Sequence, residues 1–418
     1  MKTPFAAPLH TRLFWLAKWL LLSGLIAVLA GTASAGFMAA LEWASATRSA
    51  NHWLILLLPV AGLASGWLYW RFGQAVEGGN NLLIEEVLQP RRVIALRMAP
   101  MIFVTTVLSH LVGASVGREG TAVQMGGTLA DQLTRWFKLP ADDRRIVLMA
   151  GMSAGFASLF GTPMAGAVFG LEVIVRGQIR YHAILPCTVA ALLAHQVALL
   201  WGIHHTHYAV PAIPAISAAT LGAVLLAGAA FGWAARLFVA LSHGLGHFMK
   251  QRFVWPPLRP FVGGALIAAI LWWPAAAPYR GLGTPVIAQS LLEAIPWYTP
   301  LAKLLLTTAS LGMGFKGGEV TPLFYIGSTL GNALAPLLQQ PFAFLAALGF
   351  VAVFAAAANT PLAGTLLAME LFGSVIGPYA LLACVMAYVF SGEPGIYRAQ
   401  RIDPSQAYSP QANNKQQE

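Results

Sequence analysis

This sequence has little charge. Asp, Glu, Lys and Arg supply only 10% of its 418 residues, where an ordinary soluble domain carries about a quarter. A plain soluble fold is therefore excluded. Disorder is excluded as well, because it needs high charge and low hydrophobicity, and 57% of this chain is hydrophobic. Cysteine is almost missing. Cys187 and Cys384 stand far apart inside apolar stretches, without metal-ligand spacing, and read as small core residues. The sequence has no H-E-x-x-H, no P-loop and no G-x-S-x-G. It also lacks the short alternating strands of a transmembrane barrel.

What is present is apolar sequence in repeated runs, several near the roughly 20 residues that cross a bilayer. The chain reads as an all-α polytopic membrane protein. Its net charge is +10, and the basic residues flank apolar runs: Arg91 and Arg92, Arg144 and Arg145, Lys250 and Arg252. There they set orientation and touch anionic lipid. No nucleic-acid-binding motif accompanies them, so no nucleic-acid partner is expected. Lys2, Arg12 and Lys18 precede the apolar run Trp19–Ala30. Ala33-Ser34-Ala35 resembles a signal-peptidase site, but apolar sequence continues through Gly36–Leu41, which favours an uncleaved first membrane helix. With Arg398 and Arg401 near the other end, both termini are expected in the cytoplasm.

The runs are uneven. Ile146–Gly155, Ala165–Val175 and Leu362–Phe372 are too short to span alone, and 41 Gly and 26 Pro interrupt the pattern. Lipid forbids exposed irregular backbone, so broken helices must be covered by neighbours or line a cavity. That is the pattern of a transporter or channel. The chain also repeats itself. Thr162-Pro163-Met164-Ala165-Gly166 leads to Glu172, and Thr360-Pro361-Leu362-Ala363-Gly364 leads to Glu370. Gly126-Gly127-Thr128-Leu129-Ala130-Asp131 resembles Gly327-Ser328-Thr329-Leu330-Gly331-Asn332, in the same order and again about 200 residues apart. The expected organisation is a first membrane repeat half over 1–209, a second over 210–400, and a short polar tail over 401–418. In duplicated transporters the substrate site lies near the midplane, where broken helices from both halves meet.

Three Gly-rich breaks are candidates for that site. The first, Gly78-Gly79-Asn80-Asn81, either aims helix-start N–H groups and an amide at an anion or is a turn with an Asn cap. The second, Gly113 to Thr121, contains Arg118 and Glu119 between apolar segments, where charges are costly. Glu119 stands where a helix begins, so its carboxylate suits the N–H cluster there. An anion can displace such a carboxylate, and protonation favours its departure, which couples anions to protons. The third, Gly312 to Pro322, brings Lys316 and a second intramembrane acid, Glu319; Lys316 is expected to pair with it. Glu172 and Glu370 read as structural caps. Tyr397 either donates to a buried anion or anchors at the interface. His204-His205-Thr206-His207 reads as a loop, and neither a metal nor a cofactor is expected.

Taken together, these residues resemble the CLC family of chloride channels and anion/proton antiporters over essentially the whole chain. Gly117-Arg118-Glu119-Gly120 is similar to the family's G-R-E-G-P signature, with Thr121 in place of Pro. G-S-G-I-P aligns with Gly79-Asn80-Asn81-Leu82-Leu83, so Ser becomes Asn80. G-x-F-x-P aligns with Gly318-Glu319-Val320-Thr321-Pro322, where Phe is lost and Glu enters. These departures are similar to the fluoride/proton antiporter branch. The chloride exchangers' inner proton-relay Glu falls at Val173 here.

The resemblance implies two inverted-topology repeats with broken and re-entrant helices, a homodimer, and a location in the bacterial inner membrane. It implies gating and proton coupling by Glu119 and Glu319. It implies anion binding by Asn80, Tyr397, Gly117, Arg118, Gly120 and Thr321. The implied function is export of fluoride against protons, and the protein is not expected to be an enzyme. A chloride/proton exchanger or passive chloride channel of the same fold is the alternative. A membrane-embedded enzyme using Glu119, Glu319 and the histidine run is the remote one.

Overall fold

The computed structural model describes residues 8–205, 208, 210–393 and 395–402. Thr206 and His207 of the histidine run, Pro394 before Tyr397, and 403–418 of the expected tail lie outside the described residues.

Sixteen α-helices make up the described chain. The first half contains α1 (Leu9–Ala50), α2 (Leu58–Phe72), α3 (Asn80–Leu88), α4 (Met98–Leu111), α5 (Glu119–Trp136), α6 (Ala141–Phe160), α7 (Pro163–Glu172) and α8 (Ile184–Leu200). The second contains α9 (Ala218–Arg252), α10 (Leu258–Leu271), α11 (Thr284–Ser290), α12 (Thr299–Gly312), α13 (Val320–Leu334), α14 (Phe342–Ala358), α15 (Pro361–Phe372) and α16 (Gly377–Ser391). A two-residue parallel strand pair, β1 (Val175–Arg176) with β2 (Arg401–Ile402), ties the end of the described chain to the first half. Five helical stretches are long and apolar enough to cross a membrane: Leu9–Ala50, His52–Phe72, Tyr181–Leu200, Ala218–Arg252 and Ser374–Ser391. α1 passes unbroken through Ala33–Ala35, and Ser34 there accepts a hydrogen bond from Ser158 at 2.7 Å.

The short helices explain the repeated sequence motifs. α7 and α15 each begin with Pro after Thr, and each is capped by the acid in the last turn of the other. Glu370 accepts from the N–H groups of Met164 and Ala165 at 2.9 and 2.8 Å. Glu172 accepts from Leu362 and Ala363 at 3.1 and 2.8 Å. Helix-start donors left without an intrahelical acceptor are thus satisfied by carboxylates of the partner repeat. Both acids are structural caps.

The second motif also has one job in both halves. Asp131 accepts from the Ile94 N–H at 2.8 Å, and Asn332 accepts from the Ile295 N–H at 3.1 Å. Arg144 is the counter-charge beside Asp131, reaching it through Nε and Nη2 at 2.8 and 2.9 Å, while its Nη1 bonds Glu86 at 2.8 Å. Asn332, being neutral, needs no cation. Its amide instead donates to the Ser290 and Glu293 carbonyls.

Glycines in the motif set the helix spacing. A Cβ on Gly126 would lie 2.4 Å from the Gly151 carbonyl oxygen, joining α5 to α6. On Gly327 it would lie 1.9 Å from that of Gly349, joining α13 to α14. Small residues let membrane helices approach until dispersion and backbone contacts hold them, since lipid offers no hydrophobic drive between helices. Between the halves sits an aromatic core. Phe156 stacks on Phe169 at 4.7 Å and Phe324 on Phe350 at 4.0 Å, with Phe354 adjoining both pairs.

Gly327→Val is expected to force α13 from α14, because the added carbons overlap the Gly349 carbonyl. The cost is about 3 kcal/mol or more, read as loss of the monodisperse peak in size-exclusion chromatography. Gly222→Ala on α9, with nothing within 4 Å of its added Cβ, is expected to keep that peak.

Candidate anion and proton site

The second and third breaks meet head to head. The Gly117 N–H donates to the Gly318 carbonyl at 2.6 Å, and the Gly318 N–H returns a bond to Gly117 at 2.8 Å. This bridge is antiparallel, so the two segments run in opposite senses, as inverted repeats require. It lays the start of α5 beside the start of α13. Neither glycine can carry a side chain there: a Cβ on Gly117 would lie 2.8 Å from the Gly318 oxygen.

Glu119, the first residue of α5, is fully buried. Its carboxylate lies at the start of the other repeat's helix. Oε2 accepts from the Thr321 N–H at 2.9 Å and from the Arg118 N–H at 3.1 Å. Oε1 accepts from the Thr321 hydroxyl. The Arg118 guanidinium stands 3.6 Å from Oε1. One carboxylate therefore collects the N-terminal donors of two helices and faces both positive dipole ends. Hydrogen bonds to an ionised acceptor are the strong kind, and burial leaves them unscreened. Thr121, in the place of the signature proline, bonds the Thr106 hydroxyl at 2.8 Å.

The first break borders the same region. Gly79 holds φ at 57°, a left-handed turn that glycine adopts without steric cost, and α3 starts directly after it. Asn80 is not a side-chain cap. It is buried, and its Oδ1 has no hydrogen-bond partner. The Oε2 of Glu319 is likewise buried and unpartnered. A Cβ on Gly120 would meet Asn80 Nδ2 at 3.0 Å, the Gly318 Cα at 3.2 Å and Glu319 Oε2 at 3.4 Å. The space over Gly120 thus separates the amide of the first break from the acid of the third.

Asn80, Glu319 and Tyr397 all line one cavity of about 940 Å³, which reaches outward past Lys316 and Lys250. Glu119 is not among its lining residues and lies behind Gly120. Tyr397 is buried, carried on a segment far along the chain. That segment is pinned by the Ile396 N–H to the Ala357 carbonyl at 2.8 Å and by the Ala399 N–H to Asn81 Oδ1 at 2.9 Å. Gln400 adds bonds to the Val173 and Ala358 carbonyls.

Glu119, Thr321, Arg118, Gly117 and Gly120 are thereby gathered into one junction, and Asn80, Glu319 and Tyr397 into the adjoining cavity. Lys316 does not pair with Glu319. Its ammonium sits 4.1 Å over the Tyr69 ring. Sequence reading missed Asn81, whose amide holds the Tyr397 segment; no local signal links residues so far apart. Val173 is fully buried and apolar, so no acid stands there. Of the histidine run, His205 faces His195 with ring centroids 5.3 Å apart. Among the described residues no group of three or more His, Cys, Asp or Glu is placed to hold a metal.

Membrane-crossing helices, two interlocked repeats and a buried acid at paired helix starts define a membrane ion-transport protein. Residues 61–392 match the voltage gated chloride channel family. A chloride/fluoride channel protein of Pseudomonas syringae pv. tomato is 54% identical over 95% of this chain and 89% of its own length. The H(+)/Cl(-) exchange transporter ClcA of Cronobacter sakazakii is 28% identical over 84% of this chain and 81% of its own. The crystal structure of a CLC-type fluoride/proton antiporter superposes with a TM-score of 0.90 at 36% identity, covering 93% of this chain and 99% of that one. The chain belongs to the CLC family of voltage gated chloride channels and transporters.

Gly120→Ala places a Cβ 3.0 Å from Asn80 Nδ2 and 3.2 Å from the Gly318 Cα and is expected to crowd the gap between Asn80 and Glu319. Anion flux in reconstituted vesicles should fall by about tenfold or more, the scale on which small misplacements in a built site act.

Proposed function

We propose that the protein exports fluoride from the cytoplasm in exchange for protons moving inward. The observation that carries this reading is the Glu119 carboxylate held on the Thr321 N–H and hydroxyl. An anion arriving at the α13 start needs those same donors. A carboxylate and an anion exclude each other there, and a protonated Glu119 leaves because the neutral acid no longer gains the charge-assisted bonds. Proton binding and anion binding become alternate occupancies of one position, which is the requirement for exchange.

In this reading Asn80 and Tyr397 bind the anion on the cavity side, and Glu319 passes protons between that cavity and Glu119. Gly117, Arg118 and Gly120 shape the junction. Val173 occupies the position of the chloride exchangers' relay acid, and Glu319 takes over the proton-relay role from another place. Fluoride is small and strongly hydrated, so its dehydration costs more than that of chloride. Close, strong donors offset that cost, and the Asn80 amide adds one. The antiporter that is 36% identical and the 54% identical chloride/fluoride channel protein support fluoride as a substrate. The second of these names also favours a passive channel as the competing reading, and proton movement separates the two. The working unit is a homodimer with one pathway per subunit, in the bacterial inner membrane with both termini in the cytoplasm. Each pathway is built from halves at 1–209 and 210–400.

The deciding measurement follows fluoride and proton movement together in proteoliposomes. Fluoride-driven proton uptake supports exchange; fluoride flux without protons makes the protein a channel, and equal chloride flux removes the fluoride assignment. Glu119→Gln, which carries no proton, is expected to abolish proton movement, and intact coupled exchange in it would remove Glu119 from the mechanism. Asn80→Ser loses one amide donor worth about 1 kcal/mol, so the fluoride-to-chloride rate ratio is expected to fall about fivefold.

A further inference from the structure

The cavity carries more positive charge than the site chemistry uses. Lys250, Arg259, Lys316 and Arg398 line it, against Glu77 and Glu319. Lys316 stands apart because it lies in the third break itself, three residues before Glu319, and is half-buried. Two buried cations among the described residues are consumed by their partners. Arg144 is neutralised by Asp131 and Glu86. Lys303 is spent on the carbonyls of Tyr279 and Gly281 at 3.1 and 2.6 Å. Lys316 has no carboxylate within 4.0 Å among the described residues. Instead it rests on the face of Tyr69, a ring that is itself 6% exposed and so fixed by its packing. A ring face holds an ammonium in place by its quadrupole but takes up none of its hydrogen bonds as a carboxylate would. The ammonium is positioned at the wall of the cavity, which Glu77 and Lys250 also line.

We propose that Lys316, seated on Tyr69, is the capture charge of the cavity: it holds the incoming anion on the way to Asn80 and Tyr397 and sets apparent affinity without choosing the halide. The assignment rests on the anion-export reading above. A fixed cation in a narrow, low-dielectric cavity concentrates anions of any kind, whereas selection needs dehydration by close donors. Lys316 is a positioning residue and makes no claim on the proton.

The experiment measures initial efflux from proteoliposomes of the full chain against internal halide concentration, with fluoride and with chloride. Lys316→Gln is expected to raise the KM for both by about fivefold and to leave the plateau rate within about twofold. Lys316→Arg is expected to restore KM, since it keeps the charge. Glu77→Gln, at an exposed position that tolerates change, is expected to lower KM because it removes the opposing charge. In the unaltered protein, impermeant salt inside the vesicle is expected to raise KM, and Lys316→Gln should flatten that dependence. An unchanged KM in Lys316→Gln, a fall in plateau alone, or a KM in Glu77→Gln that stays put or rises would each overturn the capture role. Unaltered protein that releases neither halide would overturn the export reading first, before any variant is compared.

Discussion

A single carboxylate shared by two helix starts organises this molecule. Glu119 belongs to α5 by sequence and to α13 by hydrogen bonding, through the Thr321 N–H and hydroxyl. In hydrocarbon an ionised acid needs donors, and a helix start needs acceptors, so each satisfies the other's cost. The bond only exists if α5 and α13 point at one place. Inverted repeats supply that geometry, and the Gly117–Gly318 bridge fastens it.

The same exchange of favours runs through the rest of the fold. Glu172 and Glu370 cap each other's helices across the repeat interface. Asp131 and Asn332 hold equivalent backbone N–H groups in the two halves, one with an arginine as counter-charge and one without. Several of the charged residues that the composition makes scarce are spent on backbone N–H groups without an intrahelical partner. Glycines bring α5 against α6 and α13 against α14, so the helices stay rigid while the breaks stay open. Two of the buried atoms without a hydrogen-bond partner, Asn80 Oδ1 and Glu319 Oε2, belong to residues that line the same cavity as Tyr397.

By itself the sequence determined the class of protein and the identity of the breaks. Charge scarcity and long apolar runs leave only a helical membrane protein, because no other backbone arrangement satisfies its hydrogen bonds in lipid. The two Thr-Pro-x-Ala-Gly…Glu motifs revealed the duplication, and the Gly-rich segments marked the helix starts at Asn80, Glu119 and Val320. These features are local, written in composition and short-range spacing. What tertiary structure alone decided is who meets whom. That Glu119 bonds Thr321, that Glu370 caps α7, that Lys316 turns to Tyr69 and away from Glu319, and that Asn81 holds the Tyr397 segment are contacts between residues far apart in the chain. No spacing rule reaches across such distances; they follow from the crossing of two inverted halves, and a polar group buried there takes whichever partner that crossing delivers.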